Sequence, residues 1–146
     1  MNRRGARELV LHLIFAGEYS GKTGAELLED INEENFQSLE EEYDLYQELP
    51  PENQQEYVQR AVTGVMAHLY ELDDYIEKYA KGWKIERISR VAVSALRLAI
   101  CEMKYIDNIP QAVSINEAVE LVKKYATQDD ASFVNGILGS VSREEN

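Results

Sequence analysis

Between Val91 and Met103 almost every residue is apolar: Val91, Ala92, Val93, Ala95, Leu96, Leu98, Ala99, Ile100, Cys101 and Met103. At about 100° per residue these positions run nearly all the way round a helix, and a helix apolar on every side has to be buried by other elements. The segment is therefore expected to be the centre of a helical assembly. The rest of the chain agrees with that expectation. Its only prolines are Pro50, Pro51 and Pro110, its glycines are sparse, and no stretch alternates with period two, so long segments are free to be helical and none reads as a strand.

A first helix is expected from about Arg3 to Glu18, with Leu9, Val10, Leu13 and Ile14 as its apolar stripe and Gly21 and Gly24 after its end. A second starts near Ala25 and is apolar at Leu27, Leu28 and Ile31, whereas 40–51 reads as a loop or short turn. Pro50 and Pro51 open a third, in which Tyr57, Ala61, Val65, Leu69 and Leu72 recur at close to four-residue spacing. Asp73 has the position of an N-cap for a short helix ending near Gly82. Beyond the central helix, Asp107 to Pro110 forms a break, and Ser114-Ile115-Asn116-Glu117 matches a capping box that opens a helix to about Tyr125. A last helix from about Asp129 to Ser142 carries Phe133, Val134, Ile137, Leu138 and Val141. The expected fold is all-α, with six or seven helices and no repeat of solenoid period.

Charge is distributed unevenly. From Gly24 to Glu56 there are twelve acidic residues and no Lys or Arg, a block equal to the net charge of −12, and the other 15 acids are matched by 15 bases. Those bases gather at the N-terminus and between Lys78 and Lys104, where Lys78, Lys81, Lys84, Arg87, Arg90, Arg97 and Lys104 face only Glu86 and Glu102 among nearby acids. An acidic chain with local basic patches can still bind nucleic acid, because the local field governs contact. The acidic block reads as a solvated helix face plus a mobile loop, and the second basic patch either contacts nucleic acid or balances that block.

Several function classes are disfavoured. The longest apolar runs fall well short of the roughly 20 residues that span a bilayer, and the arginine-led start lacks the continuous apolar stretch of a secretion signal, so a cytoplasmic location is expected. The single cysteine, Cys101, lies in the most apolar segment and reads as an inert core thiol; His12 and His68 offer no third group to orient a nucleophile–base pair. With no Cys-x-x-Cys, no two-histidine metal spacing and no glycine-rich phosphate loop, no enzymatic activity, metal or cofactor is expected.

The segments Ala95-Leu96-Arg97-Leu98-Ala99-Ile100-Cys101-Glu102-Met103, Ile109-Pro110, Ser114 through Tyr125, and Phe133-Val134-Asn135-Gly136-Ile137-Leu138 follow one another at tight spacing, and Arg3-Arg4-Gly5-Ala6-Arg7-Glu8 precedes them. Together they resemble the signature of the NusB family over nearly the whole chain, most weakly from Gly21 to Glu52. The resemblance implies a single NusB-like RNA-binding domain of two packed helical bundles, about 1–80 and about 81–146. It also implies a role in transcription antitermination: NusB-like proteins pair with NusE, a small-subunit ribosomal protein. The pair binds a boxA element of single-stranded nascent RNA and loads an antitermination complex on RNA polymerase, notably during ribosomal RNA synthesis. The alternative is a protein-interaction module, or an inactive homodimer, that has lost RNA binding. Some ribosomal RNA cytosine methyltransferases carry a NusB-like N-terminal domain, but no Rossmann-like catalytic stretch is legible in this sequence.

Candidate contacts follow from the residues and the resemblance together. Arg3, Arg4 and Arg7 fall within about one 100° arc of the first helix, where planar guanidinium forks suit adjacent phosphates; the resemblance makes this arginine-rich start an RNA contact. Phe133 is core by its apolar stripe, while the resemblance places it, with Asp129, in the RNA-contact region, where an aromatic ring can stack on an unpaired base. Asp129 is also a possible N-cap. Phe15 matches an aromatic position that contacts NusE in the family. Asn135 reads as structural, and Gly136, costly inside a helix, as a point of close helix packing. One departure from the family pattern stands at Ala92-Val93, where an acidic residue followed by a basic one is usual.

Overall fold

The computed structural model describes residues 1–145, with side chains through residue 144. Among the described residues there are eight α-helices, two single turns of 3-10 helix and no strand, so the all-α expectation holds and the helix count exceeds it slightly. Contacts divide the chain into two compact units, Met1–Ala67 and the remainder from His68.

In the first unit α1 (Arg3–Ser20) starts on Asn2, whose side-chain oxygen accepts the Gly5 N–H at 2.9 Å, and stops at Gly21 in the left-handed region. Its Leu9, Val10, Leu13 and Ile14 are buried as the stripe predicts, and α1 packs on α4 (Glu52–Ala67), which presents Tyr57, Val58, Ala61, Val62 and Val65. The second helix expected from Ala25 is two helices, α2 (Gly24–Glu29) and α3 (Glu33–Leu39). The break comes from Asn32, which leaves the helical region to cap α3 by accepting the Asn35 N–H at 2.9 Å. Thr23 and Glu26 close a reciprocal capping box on α2, the Thr23 N–H donating to Glu26 Oε1 at 3.0 Å and the Glu26 N–H to Thr23 Oγ1 at 3.2 Å, and hydrogen bonding from the Thr23 backbone and side chain holds the Glu26 carboxyl below its usual range.

The acidic block is thus anchored through most of its length. Phe36 on α3 meets Tyr46, in the 3-10 turn Asp44–Gln47, edge to face at 4.9 Å, and the Tyr46 hydroxyl lies 3.0 Å from His12 Nδ1 on α1. Burial pushes that hydroxyl's pKa up to about 12. The carboxylates of the block lie mostly exposed, while these ring contacts join α3, the 3-10 turn and α1 beneath them.

The second unit is built round α6 (Arg90–Tyr105), capped by Ser89 and buried over most of its circumference as expected. Around it lie α5 (Leu69–Tyr79), α7 (Gln111–Tyr125) and α8 (Gln128–Glu145). The second unit starts at His68, and α5 packs within it on α6 and α8. The third helix was expected to run on through Leu69 and Leu72; it ends at Ala67 because His68 sits at φ −122°, ψ 26°, outside the helical region. Asp73 is consequently no N-cap. It lies inside α5 and takes the Arg97 guanidinium in a two-pronged ion pair, Nε to Oδ1 at 2.8 Å and a second nitrogen to Oδ2 at 3.0 Å.

Ser114 is not the cap of its helix either. Pro110, with φ near −59°, already directs the chain into α7, and its carbonyl accepts the Val113 and Ser114 N–H groups. Ser114 is turned inward instead, its hydroxyl donating at 2.9 Å to the buried Glu102 carboxylate of α6, so an acid in the most apolar helix is satisfied by a neighbour. Next to it, burial raises the Cys101 thiol to about 12, leaving it protonated and inert at neutral pH. Ala92 and Val93 are both fully buried, so the apolar pair that departs from the family pattern is part of the interior. No helix among the described residues is long and apolar enough to cross a membrane.

Gly136 was expected at a close helix contact, but a Cβ built there meets nothing within 4 Å, and both it and Asn135 are exposed. The glycine therefore retains its entropic cost without a packing reason. Gly136→Ala is expected to stabilise the second unit by about 1 kcal/mol, read as a higher urea midpoint at unchanged slope; a lower midpoint would show that the glycine is needed.

Candidate nucleic-acid interface

The arginines of α1 do not form one uniform patch. Arg3 and Arg7 are one turn apart and both turn toward Tyr57 on α4, with guanidinium carbons 4.3 and 5.5 Å from its ring centroid. Arg3 also donates from Nε to Gln54 Oε1 at 2.8 Å and remains half-buried. Arg7 is only 4% exposed, so in this arrangement its fork faces the interior. Arg4, rotated about 100° from Arg3, faces solvent. The helix turn therefore presents Arg4 outward with Arg3 beside it, and Tyr57 holds the position of Arg3. The N-terminal ammonium pairs with Glu48, fixing the chain just ahead of this turn.

In the second unit Asp129 and Phe133 are one turn apart on α8 and share a face. Asp129 does not cap the helix. Thr127 does, accepting the Asp130 N–H at 3.0 Å while its own N–H donates to Asp130 Oδ2 at 3.4 Å. Asp129 is thus left exposed in the first turn. Phe133 is neither core nor free: it is half-buried, and its ring meets the indole of Trp83 at 6.1 Å between centroids and 62° between planes.

Sequence reasoning missed Trp83, which is 59% exposed in the connection between α5 and the 3-10 turn Ile85–Arg87. The available signal was an isolated aromatic between Gly82 and Lys84 in a polar, basic stretch.

The basic residues from Lys78 to Lys104 separate into two groups. Lys78 pairs with Glu144 at 3.0 Å, Arg97 with Asp73, Lys104 lies 4.2 Å over the Tyr75 ring, and Arg90 donates to the carbonyls of Ile85 and Ile88. Lys81, Lys84 and Arg87 are exposed and make no side-chain hydrogen bond or ion pair among the described residues. Only this second group keeps its charge available to a ligand.

Phe15 is half-buried on α1 and meets Tyr19, one turn on and 67% exposed, at 5.5 Å and 63°. The exposed Tyr19 with the half-buried Phe15 beside it is a surface suited to anchoring a protein partner. Among the described residues, no three His, Cys, Asp or Glu side chains come together as a set able to hold a metal.

These features define an all-helical protein whose exposed arginines, lysines and aromatic rings suit recognition of unpaired nucleic acid. The chain belongs to the NusB family, whose model matches residues 4–143. It is 45% identical over 141 residues to a transcription antitermination protein NusB of Acetivibrio thermocellus, covering 97% of this chain and 88% of that one. Its fold is similar to T. maritima NusB, with a TM-score of 0.75 at 32% identity, over 99% of this chain and 92% of that one. It is also similar to a chain in a crystal structure of antitermination factors NusB and NusE in complex with double-stranded RNA, with a TM-score of 0.76 at 27% identity, over 97% and 96% of the two chains.

Proposed function

We propose that this protein is a transcription antitermination factor that binds boxA-type single-stranded RNA of nascent ribosomal transcripts together with NusE, and so helps load an antitermination complex on RNA polymerase. The observation that carries this reading is membership of the NusB family across nearly the whole chain, with relatives of the same length class that are antitermination proteins. The chain acts as one RNA-binding domain, without catalysis, in the cytoplasm.

Arg4 and Arg3 contact phosphate, where charge-assisted, forked hydrogen bonds hold the strand without reading its bases. Arg7 supports them by keeping Tyr57, and through it Arg3, in place. Phe133 supplies a surface for an unpaired base, and Asp129, exposed one turn earlier, accepts hydrogen bonds from base or ribose donors. Phe15, with Tyr19, anchors NusE.

Size-exclusion chromatography of the protein mixed with NusE and a boxA-type RNA tests the proposal. One complex containing all three is the expected result. A homodimer that excludes both, from protein shown to be folded, would contradict it and favour an interaction module that has lost RNA binding.

A further inference from the structure

We propose that Trp83 is a second base-stacking surface for single-stranded RNA beside Phe133, with Lys81, Lys84 and Arg87 holding the phosphates on either side of that base; the inference rests on the RNA-binding function proposed above. An indole that is 59% exposed leaves a large apolar face in water, which folding alone does not favour. Local structure nevertheless fixes it there. The backbone N–H of Trp83 donates to the Ala80 carbonyl at 2.9 Å, closing a turn in which Gly82 has φ +81°, a conformation that side-chain-bearing residues rarely adopt. The 3-10 turn that follows, Ile85–Arg87, is held by Arg90 donating to the Ile85 and Ile88 carbonyls.

The contact with Phe133 limits how a strand can use the two rings. At 6.1 Å and 62° they touch edge to face, which leaves no parallel gap between them for a base. Each ring therefore offers its own face, and neighbouring bases of a splayed strand stack one on Trp83 and one on Phe133. Charge identifies the occupant. Lys81, Lys84 and Arg87 flank the indole with Glu86 as the one acid in the stretch 81–87, and those three bases lack partners among the described residues. Bases with aromatic rings between them match a polyanion that carries flat, unpaired rings.

Trp83 is the only tryptophan in the chain, so its emission reports on this position alone. Unlabelled boxA-type single-stranded RNA is titrated into the full chain while emission is followed, and RNA binding is measured in parallel by anisotropy of a labelled copy. Saturable quenching at the concentrations that raise the anisotropy is expected. Trp83→Ala should weaken binding roughly tenfold at unchanged salt slope, with Trp83→Phe retaining most of the affinity. Lys81→Ala with Lys84→Ala should instead reduce the salt slope by about 1.4. RNA binding with unchanged emission, and with Trp83→Ala of native circular dichroism binding normally, would overturn the inference and leave the RNA-binding function standing. An absence of RNA binding by the folded protein would overturn both. Emission that responds to NusE but not to RNA, with Trp83→Phe as the blank, would make this a protein-docking surface and also overturn the inference.

Discussion

Reversing Arg3 and Arg4 to glutamate is expected to weaken binding of a boxA-type RNA about 100-fold. A charge-assisted hydrogen bond to phosphate contributes about 1.5 kcal/mol or more, so losing two removes about 3 kcal/mol, and each 1.4 kcal/mol is a factor of ten. The salt dependence should fall as well, by about 0.7 in slope for each lost phosphate contact on a single strand. Arg4 faces solvent, whereas Arg3 is half-buried over the Tyr57 ring with its Nε on Gln54, so circular dichroism has first to show the double variant folded. Arg7 is left intact, since a glutamate in its 4% exposed position would bury a charge and confuse loss of contact with loss of structure. Unchanged affinity in the Arg3, Arg4 double variant would exclude this turn of α1 from the RNA interface.

The largest effect on stability is expected from Leu96→Ala. Leu96 is fully buried on α6, the helix round which the second unit is arranged. Truncating a leucine in such a site removes its transfer free energy and leaves a cavity, at a cost of about 2–5 kcal/mol against a usual total of about 5–15 kcal/mol. Urea unfolding followed through Trp83, which lies in the same unit, should show a lower midpoint with little change in slope. Leu96→Met, which conserves volume, should cost less than about 1.5 kcal/mol. Equal midpoints for wild type and Leu96→Ala would contradict the central place given to α6.

What could be read in the sequence, and what could not, follows from how local each determinant is. Apolar periodicity with good caps located α1 and the buried α6, and Gly21 marked the end of α1 to within a few residues. Two breaks carried no proline. One is His68, whose non-helical backbone interrupts a run of apolar residues that continues in register at Leu69 and Leu72. The other is Asn32, a residue common enough inside helices that its capping role shows only once the turn is formed. Ser114 and Glu117 had the spacing of a capping box, yet Pro110 had already begun the helix, and the serine serves the buried Glu102 on another helix.

The candidate site shows the same division. Helical spacing correctly put Arg3, Arg4 and Arg7 in one arc, but Tyr57, about fifty residues away in sequence, decides which of them reach solvent. Trp83 stood out in sequence as an isolated aromatic in a basic stretch, but its place beside Phe133 is tertiary, and the sorting of the basic patch depended on acids and rings as distant as Glu144 and Tyr75. Tertiary partners of this kind leave no trace in local spacing.

The central claim is coupled recognition of RNA and NusE, and fluorescence anisotropy of a labelled boxA-type RNA measures that coupling directly. The RNA is titrated with this protein, alone and with NusE present, at two salt concentrations. Binding that weakens as salt rises and tightens when NusE is added is the predicted result. Absence of binding by the folded protein in both mixtures, or an RNA affinity indifferent to NusE, would contradict it.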